Sequence, residues 1–331
     1  MITVNFKNVG QGDSIIIEWE NKGKKSIGII DCKVYNEKNP ILEYLQQNLI
    51  LEIEFILLSH LHYDHFSGMA DIFEFCINRK IKTKYFFHTN APFIGEIYNR
   101  IFTSQKLQRG IKRFIEYYEL FDKLVGDKIQ VTCHLRDYKL TDNIILKFIA
   151  PKGRTYDIMS KQLSRKVNKI STSKLDINKI ATITCIQNNK DCILLTSDAT
   201  LGSYKKIDKK IERNVVLSQV PHHGSYYNIY PRFWTSIKRD ESCPAVFSVG
   251  YEPKDKLPDK STVEFFHNNK FDIHSTNSVY GISEFFKIKS IISESLKSLC
   301  LNNFSVLRNV NYYDESIIDK YNGDKKFEIK L

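Results

Sequence analysis

No apolar run in the chain approaches the roughly 18 residues that a membrane-spanning helix needs, so no such span is expected. The first residues, Met-Ile-Thr-Val-Asn-Phe, lack the basic region and apolar core of a secretory signal, which makes the cytoplasm the expected location. Paired cysteines are missing too. The seven are scattered, odd in number and form no C-x-x-C pair, which excludes a disulfide frame and a thiolate zinc site and fits reduced thiols. No internal repeat, low-complexity segment or convincing linker is present, so a single domain over 1–331 is expected, elaborated at its carboxyl end from about 290.

What is present is ample for a folded enzyme. Of 331 residues, 42% are hydrophobic and 12% aromatic, enough for a large buried core. Lys and Arg number 49 against 38 Asp and Glu, a net charge of +11 that favours polyanionic partners through long-range attraction and counterion release. Lysine, asparagine and isoleucine are abundant throughout, so genome composition is an equally simple source of that charge.

The chain is organised around Phe55-Ile-Leu-Leu-Ser-His-Leu-His-Tyr-Asp-His-Phe-Ser-Gly68, an apolar strand pattern that runs into His60, His62, Asp64 and His65. Alternation along a strand puts His60, His62 and Asp64 on one face at its carboxyl end, a cradle for a metal ion. His65, at the start of the helical pattern Met69, Ile72, Phe73, Cys76, then adds a ligand beside a second metal position. Upstream, strands are expected over Thr3–Val9, Ile15–Trp19 and Ser26–Asp31, followed by a helix from Asn39-Pro40. Asp31 reads either as the acceptor that orients a ligand histidine from behind or as a plain strand-end cap.

Downstream, a strand over Lys82–His88 precedes a long helical pattern over Ser104–Val125, within a helical insertion of about 100–126. Its Lys106, Arg109, Lys112 and Arg113 form a solvated face or a polyanion contact. His88 and the lone His134 are structural or supply an extra ligand. Lys152 to Lys179 holds eight basic residues and little regular pattern, which predicts a mobile basic loop. Such a loop, with Lys161, Arg165 and Lys166 foremost, could clamp a nucleic acid or be a solvated insertion. Later strands deliver Asp198 and Pro221-His222-His223-Gly224 from their carboxyl ends, and a last strand is expected over Phe327–Leu331.

Four ordered motifs, Asn8-Val-Gly-Gln-Gly-Asp-Ser14, Leu58-Ser-His-Leu-His-Tyr-Asp-His65, Leu194-Leu-Thr-Ser-Asp198 and Val220-Pro-His-His-Gly-Ser225, resemble those of the metallo-β-lactamase superfamily. More narrowly they resemble the lactamase-like domain of ComEC-type DNA-uptake proteins. The resemblance covers about Met1 to Gly281. It implies an α/β fold, the αββα metallo-β-lactamase sandwich, and a hydrolase with two divalent metal ions, zinc first and manganese or iron as alternatives. It further implies that His60 and His62 hold one metal, that Asp64, His65 and His223 hold the other, and that Asp198 bridges them. His223, followed by glycine, matches the superfamily's last ligand; His222 then faces the substrate, and Asp64, Asp198 and His222 form the catalytic set. Nucleic acid is the expected substrate, a small-molecule ester the alternative, and a non-catalytic metal-binding module the third possibility.

The sequence also departs from that pattern. The histidine usual between the two halves of the site has no clear match, a Gly-His-Pro motif reads Lys256-Leu-Pro-Asp-Lys260, and Ser197 replaces the glycine of Thr-Gly-Asp. His274 is the candidate substitute for a missing histidine. The membrane channel that accompanies this domain in uptake proteins is absent, so DNA import is not implied.

Overall fold

A computed structural model describes residues 1–89, 105–166, 176–205, 207, 211–286 and 321–331. Two seven-stranded sheets face each other. The first runs in the order β14-β1-β2-β3-β4-β5-β6, from β1 (Ile2–Phe6), β2 (Ile15–Asn21), β3 (Lys24–Ile30), β4 (Glu52–Leu58), β5 (Lys82–His88), β6 (Val125–Gln130) and β14 (Lys325–Ile329). The second runs β13-β12-β11-β10-β9-β8-β7, from β7 (Tyr138–Lys139), β8 (Ile145–Ala150), β9 (Ile183–Gln187), β10 (Asp191–Leu195), β11 (Asn214–Gln219), β12 (Pro244–Phe247) and β13 (Asp272–Ser275).

Each sheet is antiparallel on one side and parallel on the other. The strands β3 to β6 are parallel, as are β10 to β13. Parallel strands must be covered on both faces, and their sequences show it. In β4, Phe55 and Leu57 face the second sheet while Ile53, Ile56 and Leu58 face helices, so the strand reads as one apolar run rather than an alternation. Between the sheets lies a core joining Ile2, Val4, Ile17, Phe55 and Phe87 of the first to Leu146, Ile186, Leu195 and Leu217 of the second.

Helices cover the outer faces. On the first sheet, α1 (Pro40–Gln47), α3 (Met69–Arg79) and α4 (Gln105–Phe121) bury Leu45, Phe73, Phe114 and Phe121, with the short α2 (Tyr63–Phe66) between α1 and α3. Asn39 caps α1, accepting the amide N–H of Leu42 at 3.1 Å. On the second sheet, α7 (Pro231–Ser236), α8 (Lys260–Asn268) and α9 (Tyr280–Phe286) bury Trp234, Phe266 and Ile282; α5 (Gly153–Lys166) and α6 (Leu201–Tyr204) complete the described helices. The expected αββα sandwich is observed. No helix among the described residues is long and apolar enough to cross a membrane.

Two expectations change. The stretch read as a mobile basic loop is helical over Gly153–Lys166 and ends in a 3₁₀ turn at Ile177–Ile180. Met159, Ile177 and Ile180 are buried in the first sheet's helical layer, and this anchor was hidden among basic residues. Lys161 is exposed on α5; the side chains of Arg165 and Lys166, and residues 167–175, lie outside the described residues. His134 sits in a turn after β6, not in a strand: a strand expected over Lys128 to Leu135 instead runs over Val125–Gln130, after a 3₁₀ turn at Asp122–Leu124. Most of the carboxyl-terminal elaboration expected from about 290, including a helical run from Ile291 to about Cys300, also lies outside the described residues.

Candidate metal centre

All the strand-end residues singled out above, except His88 and His274, meet at one end of the sandwich, where the parallel strands of both sheets finish. The pleat of β4 stops at Leu58, so strand alternation does not reach Asp64. His62 instead precedes α2, and the helical turn brings Asp64 and His65 to His223 and the other oxygen of Asp198, with the His65 ring still packed 4.2 Å from that of His60. The result is two groups of side chains rather than one face. His60 Nε2 lies 3.0 Å from His62 Nδ1 and 3.7 Å from Asp198 Oδ2. His223 Nε2 lies 3.2 Å from Asp64 Oδ2 and 3.4 Å from Asp198 Oδ1, and His65 Nε2 is 3.4 Å from the same Asp198 oxygen.

Asp198, only 2% exposed, thus turns one carboxylate oxygen to each group. Each group could hold a metal ion. The donor atoms fit that role: His65 Nε2 and Asp198 Oδ1 are buried, converge on the same point and have no hydrogen-bond partner. Such orphans cost on the order of 1–3 kcal/mol each unless a cation or donor satisfies them.

The backbone is bent to make this arrangement. Asp31, Ser197, His222 and His223 all have positive φ (56°, 44°, 47° and 52°), and Gly224 continues the left-handed run at 83°. For non-glycine residues these conformations cost about 1 kcal/mol or more each and persist only where the surroundings hold them. Here the amide N–H of His222 donates to Ser197 O at 2.9 Å, tying the turn after β11 to the turn after β10. Ser197, in place of glycine, accepts the strain and donates its hydroxyl to Ser59 Oγ at 2.7 Å.

Behind the ligand atoms, each ring is held by its other nitrogen. His65 Nδ1 donates to Asp31 Oδ2 at 2.7 Å, which points the Nε2 lone pair into the second group. Asp31 itself accepts the amide N–H and hydroxyl of Ser59 at 2.8 and 2.6 Å. His223 Nδ1 donates to the carbonyl of Ser248 at 2.8 Å. Asp31→Ala is therefore expected to lower metal affinity by about 10- to 100-fold while the other group keeps its ion, as read by competition with a chromogenic chelator.

Electrostatics separate the two groups. Burial, with His65 and His62 beside it, holds His60 well below the ordinary histidine range, and burial likewise lowers His62. In the other group burial is outweighed: Asp198, Asp64 and Asp31 hold His65 well above its usual value, and Asp198 with the bond to Asp64 pushes His223 up to about 9. Burial raises the Asp31 carboxyl. Asp198 and Asp64 go the other way, because despite burial the surrounding imidazoles favour their charged forms.

Sequence reasoning passed over several residues of this centre. Asp13, in the Gly10–Ser14 turn, lies 3.7 Å from His65 Nδ1 and accepts from Gln219 Nε2 at 2.8 Å. Gln219 also accepts the amides of Thr196 and Ser197, so one side chain at the end of β11 positions the Asp198 turn and the Asp13 loop together. A glutamine closing an apolar strand carries no sequence signal for that role. Asn228 and Asn178 hold His222, the former at 2.6 Å from Nδ1. Elsewhere, His274 bonds Asp272 at 2.8 Å and packs on Phe327, outside both groups. His88 is buried beside Phe86 and Tyr118, pushed down to about 4 by burial and Lys128. Arg113 is paired with Asp71 and Glu74, so it belongs to the α3–α4 contact.

Residues 8–107 match the family model described as the metallo-beta-lactamase superfamily, a span that contains Asp13, Asp31 and the whole His60–His65 cluster. This stretch, less than a third of the chain, is similar to the metallo-β-lactamase superfamily. Among solved structures the chain is similar to zinc-bound PqqB from Methylobacterium extorquens, at 8% identity and TM-score 0.49, covering 83% of this chain and 98% of that one. It is also similar to the metallo-beta-lactamase fold protein YhfI from Bacillus subtilis, at 8% identity and TM-score 0.44, over 84% and 98% of the two chains. A long form of RNase Z from yeast aligns at 10% identity and TM-score 0.40, over 78% of this chain and 38% of that one. No curated protein matches. Within the metallo-β-lactamase superfamily match the first half of the centre is complete, whereas Asp198, His222 and His223 come from the sequence beyond it.

Proposed function

We propose that this protein, as a metallo-β-lactamase superfamily member, is a two-metal hydrolase of phosphodiesters, acting on DNA or RNA. In this reading His60, His62 and Asp198 hold one divalent ion, zinc or else manganese, and Asp64, His65, Asp198 and His223 hold the other. The observation that carries it is the division of the Asp198 carboxylate between the groups, 3.7 Å from His60 on one oxygen and 3.4 Å from His65 and His223 on the other. A closed structural site uses one complete ligand shell and has no use for a shared carboxylate. When bound, such an ion pair neutralises phosphoryl charge and brings a water to hydroxide-like acidity near neutral pH.

The chain supplies the rest. Asn228 Nδ2 lies 2.6 Å from His222 Nδ1, and His222 Nε2 lies 3.6 Å from Asp198 Oδ2. His222 is 26% exposed, unlike the buried rings around it, and this puts a polar ring at the mouth of the centre within reach of a substrate. The net charge of +11 favours a polyanionic substrate, the motif resemblance to DNA-uptake domains points the same way, and the free thiols of the six described cysteines suit a cytoplasmic setting.

Cleavage of end-labelled DNA and RNA by protein stripped with chelator and reloaded with zinc or manganese tests the proposal. Cleavage is expected only after reloading, and the KM for polymer should rise steeply with salt, with a logarithmic slope of roughly 0.7 per phosphate contact on a single strand. Turnover of a lactone, thioester or small phosphoester with a flat salt response and no polymer cleavage would assign the same site to small molecules. Two bound metals with no turnover of any of these would make it a binding module.

A further inference from the structure

Beside the centre stands a group of side chains that the chemistry above does not use. Tyr226, Tyr227 and Tyr251 are 49%, 86% and 47% exposed, and among the described residues they are the large aromatics left open to solvent. All three sit at the metal-centre end. Tyr226 and Tyr227 come three and four residues after His223, and Tyr251 comes three after Ser248, whose carbonyl holds the His223 ring.

The segment that presents them is fixed rather than loose. The Tyr226 amide N–H donates to Asp259 Oδ2 at 2.7 Å, and the amides of Asn228 and Ile229 close a 3₁₀ turn on Ser225 and Tyr226 at 3.1 Å each. Ile229 and Phe233 are buried just beyond it, anchoring the turn on the second sheet. Tyr251 stacks on Tyr280, with centroids 6.0 Å apart and planes 18° from parallel, which sets its ring orientation. The last residue of the turn is Asn228, the one that orients His222.

Asn228 also lines a cavity of about 320 Å³ with Lys152, Lys179, Thr200 and Ser203. Thr200 lies two residues after Asp198, and Lys179 is next to Asn178, which contacts His222. The turn of Tyr226 and Tyr227 and this cavity, which Asp176 also lines, meet at Asn228 beside His222. Open rings and lysines next to a phosphodiester site match the needs of an unpaired strand: its bases have free faces to stack, and its backbone carries the next phosphate onward. In a duplex those base faces are covered by neighbouring pairs, so the rings would find nothing to stack on.

Resting on the phosphodiesterase reading above, we propose that the substrate strand is single, with its bases stacked on Tyr226, Tyr227 and Tyr251 and its flanking phosphate entering the cavity of Lys152 and Lys179. Stacking of one base on an aromatic side chain is worth about 1–3 kcal/mol, or roughly 5- to 150-fold in affinity per ring.

Two measurements test this. In the first, fluorescence anisotropy follows binding of a labelled 15-mer, an abasic 15-mer of equal charge and a duplex, with chelator present to stop cleavage. The intact single strand should bind at least about tenfold more tightly than the abasic strand; Tyr227→Ala should erase most of that difference and Tyr227→Trp restore it. Leu51→Ala, an exposed leucine on the amino-terminal side of β4, should leave binding unchanged. In the second, the ratio of oligonucleotide to bis(p-nitrophenyl) phosphate hydrolysis should fall in Tyr227→Ala. Equal binding of intact and abasic strands, or an unaltered ratio, overturns the platform. Failure to hydrolyse either substrate, with base-dependent binding intact, would overturn the phosphodiesterase reading and leave the stacking surface standing.

Discussion

Asp198→Asn is expected to lower metal-dependent cleavage by about 10³-fold or more and to reduce the bound metal from two ions toward one. The substitution keeps shape and volume and removes one thing, the ability to offer an anionic oxygen to both groups at once. An asparagine can turn its carbonyl to His60 or to His65 and His223, and its amide then faces the other group with hydrogens where a ligand is needed. Because Asp198 is 2% exposed and its carboxylate is surrounded by imidazoles, no solvent carboxylate can stand in. Asp64→Asn serves as the calibration. Asp64 Oδ2 lies near His223 and His65 only, so its loss touches one group and should cost less. Metal content by elemental analysis, with melting temperature as the check on folding, separates the outcomes. A well-folded Asp198→Asn protein with full activity would remove the bridging role.

Gly250→Ala carries the largest expected loss of stability, about 3 kcal/mol, or a drop in Tm of roughly 10 °C. A Cβ at Gly250 would fall 2.2 Å from Gly10 Cα and 2.6 Å from the Gln11 nitrogen. Both neighbours are backbone, so no side chain can swing aside. The loop carrying Asp13 must retreat from the strand end whose Ser248 carbonyl holds His223. Thermal unfolding should report the loss directly, and metal affinity should fall with it because the two halves of the centre separate. Gly23→Ala meets nothing within 4 Å but has a φ of +76°, so it should show only the smaller cost of backbone strain. Equal shifts in the two variants would mean that the crossing of the loops is not what matters at Gly250.

Both expectations rest on parts of the molecule that were unequally legible. His60, His62, His65, Asp198 and His223 were readable because histidine is scarce and each follows an apolar run that can only be a buried strand, so strand ends converge by construction. The division into two groups came with the motif resemblance, whereas strand alternation put Asp64 beside His60 and His62 because it was carried past Leu58 into residues that fold as α2. The sandwich was an expectation of the motif resemblance, with which the alternation of strands and helices agrees. The helix over Gly153–Lys166 was not readable, since its one fully described buried anchor, Met159, is isolated among charges. Gln219 and Asp13 were invisible for a different reason: their importance lies in bonds across 206 positions of sequence, between an ordinary polar residue and a turn.

The left-handed turn that joins His222 and His223 to Ser197 also has a meaning in time. Asp64 and His65 leave the ribosome about 130 residues before Asp198 and nearly 160 before His223, which at roughly 5–20 residues per second is on the order of 10–30 s. During that interval the His60–His65 cluster stands at the end of a nascent strand with neither shared carboxylate nor final histidine. A pair of ions sharing Asp198 would therefore be completed only after the second sheet has docked, when all the side chains that could hold it are together.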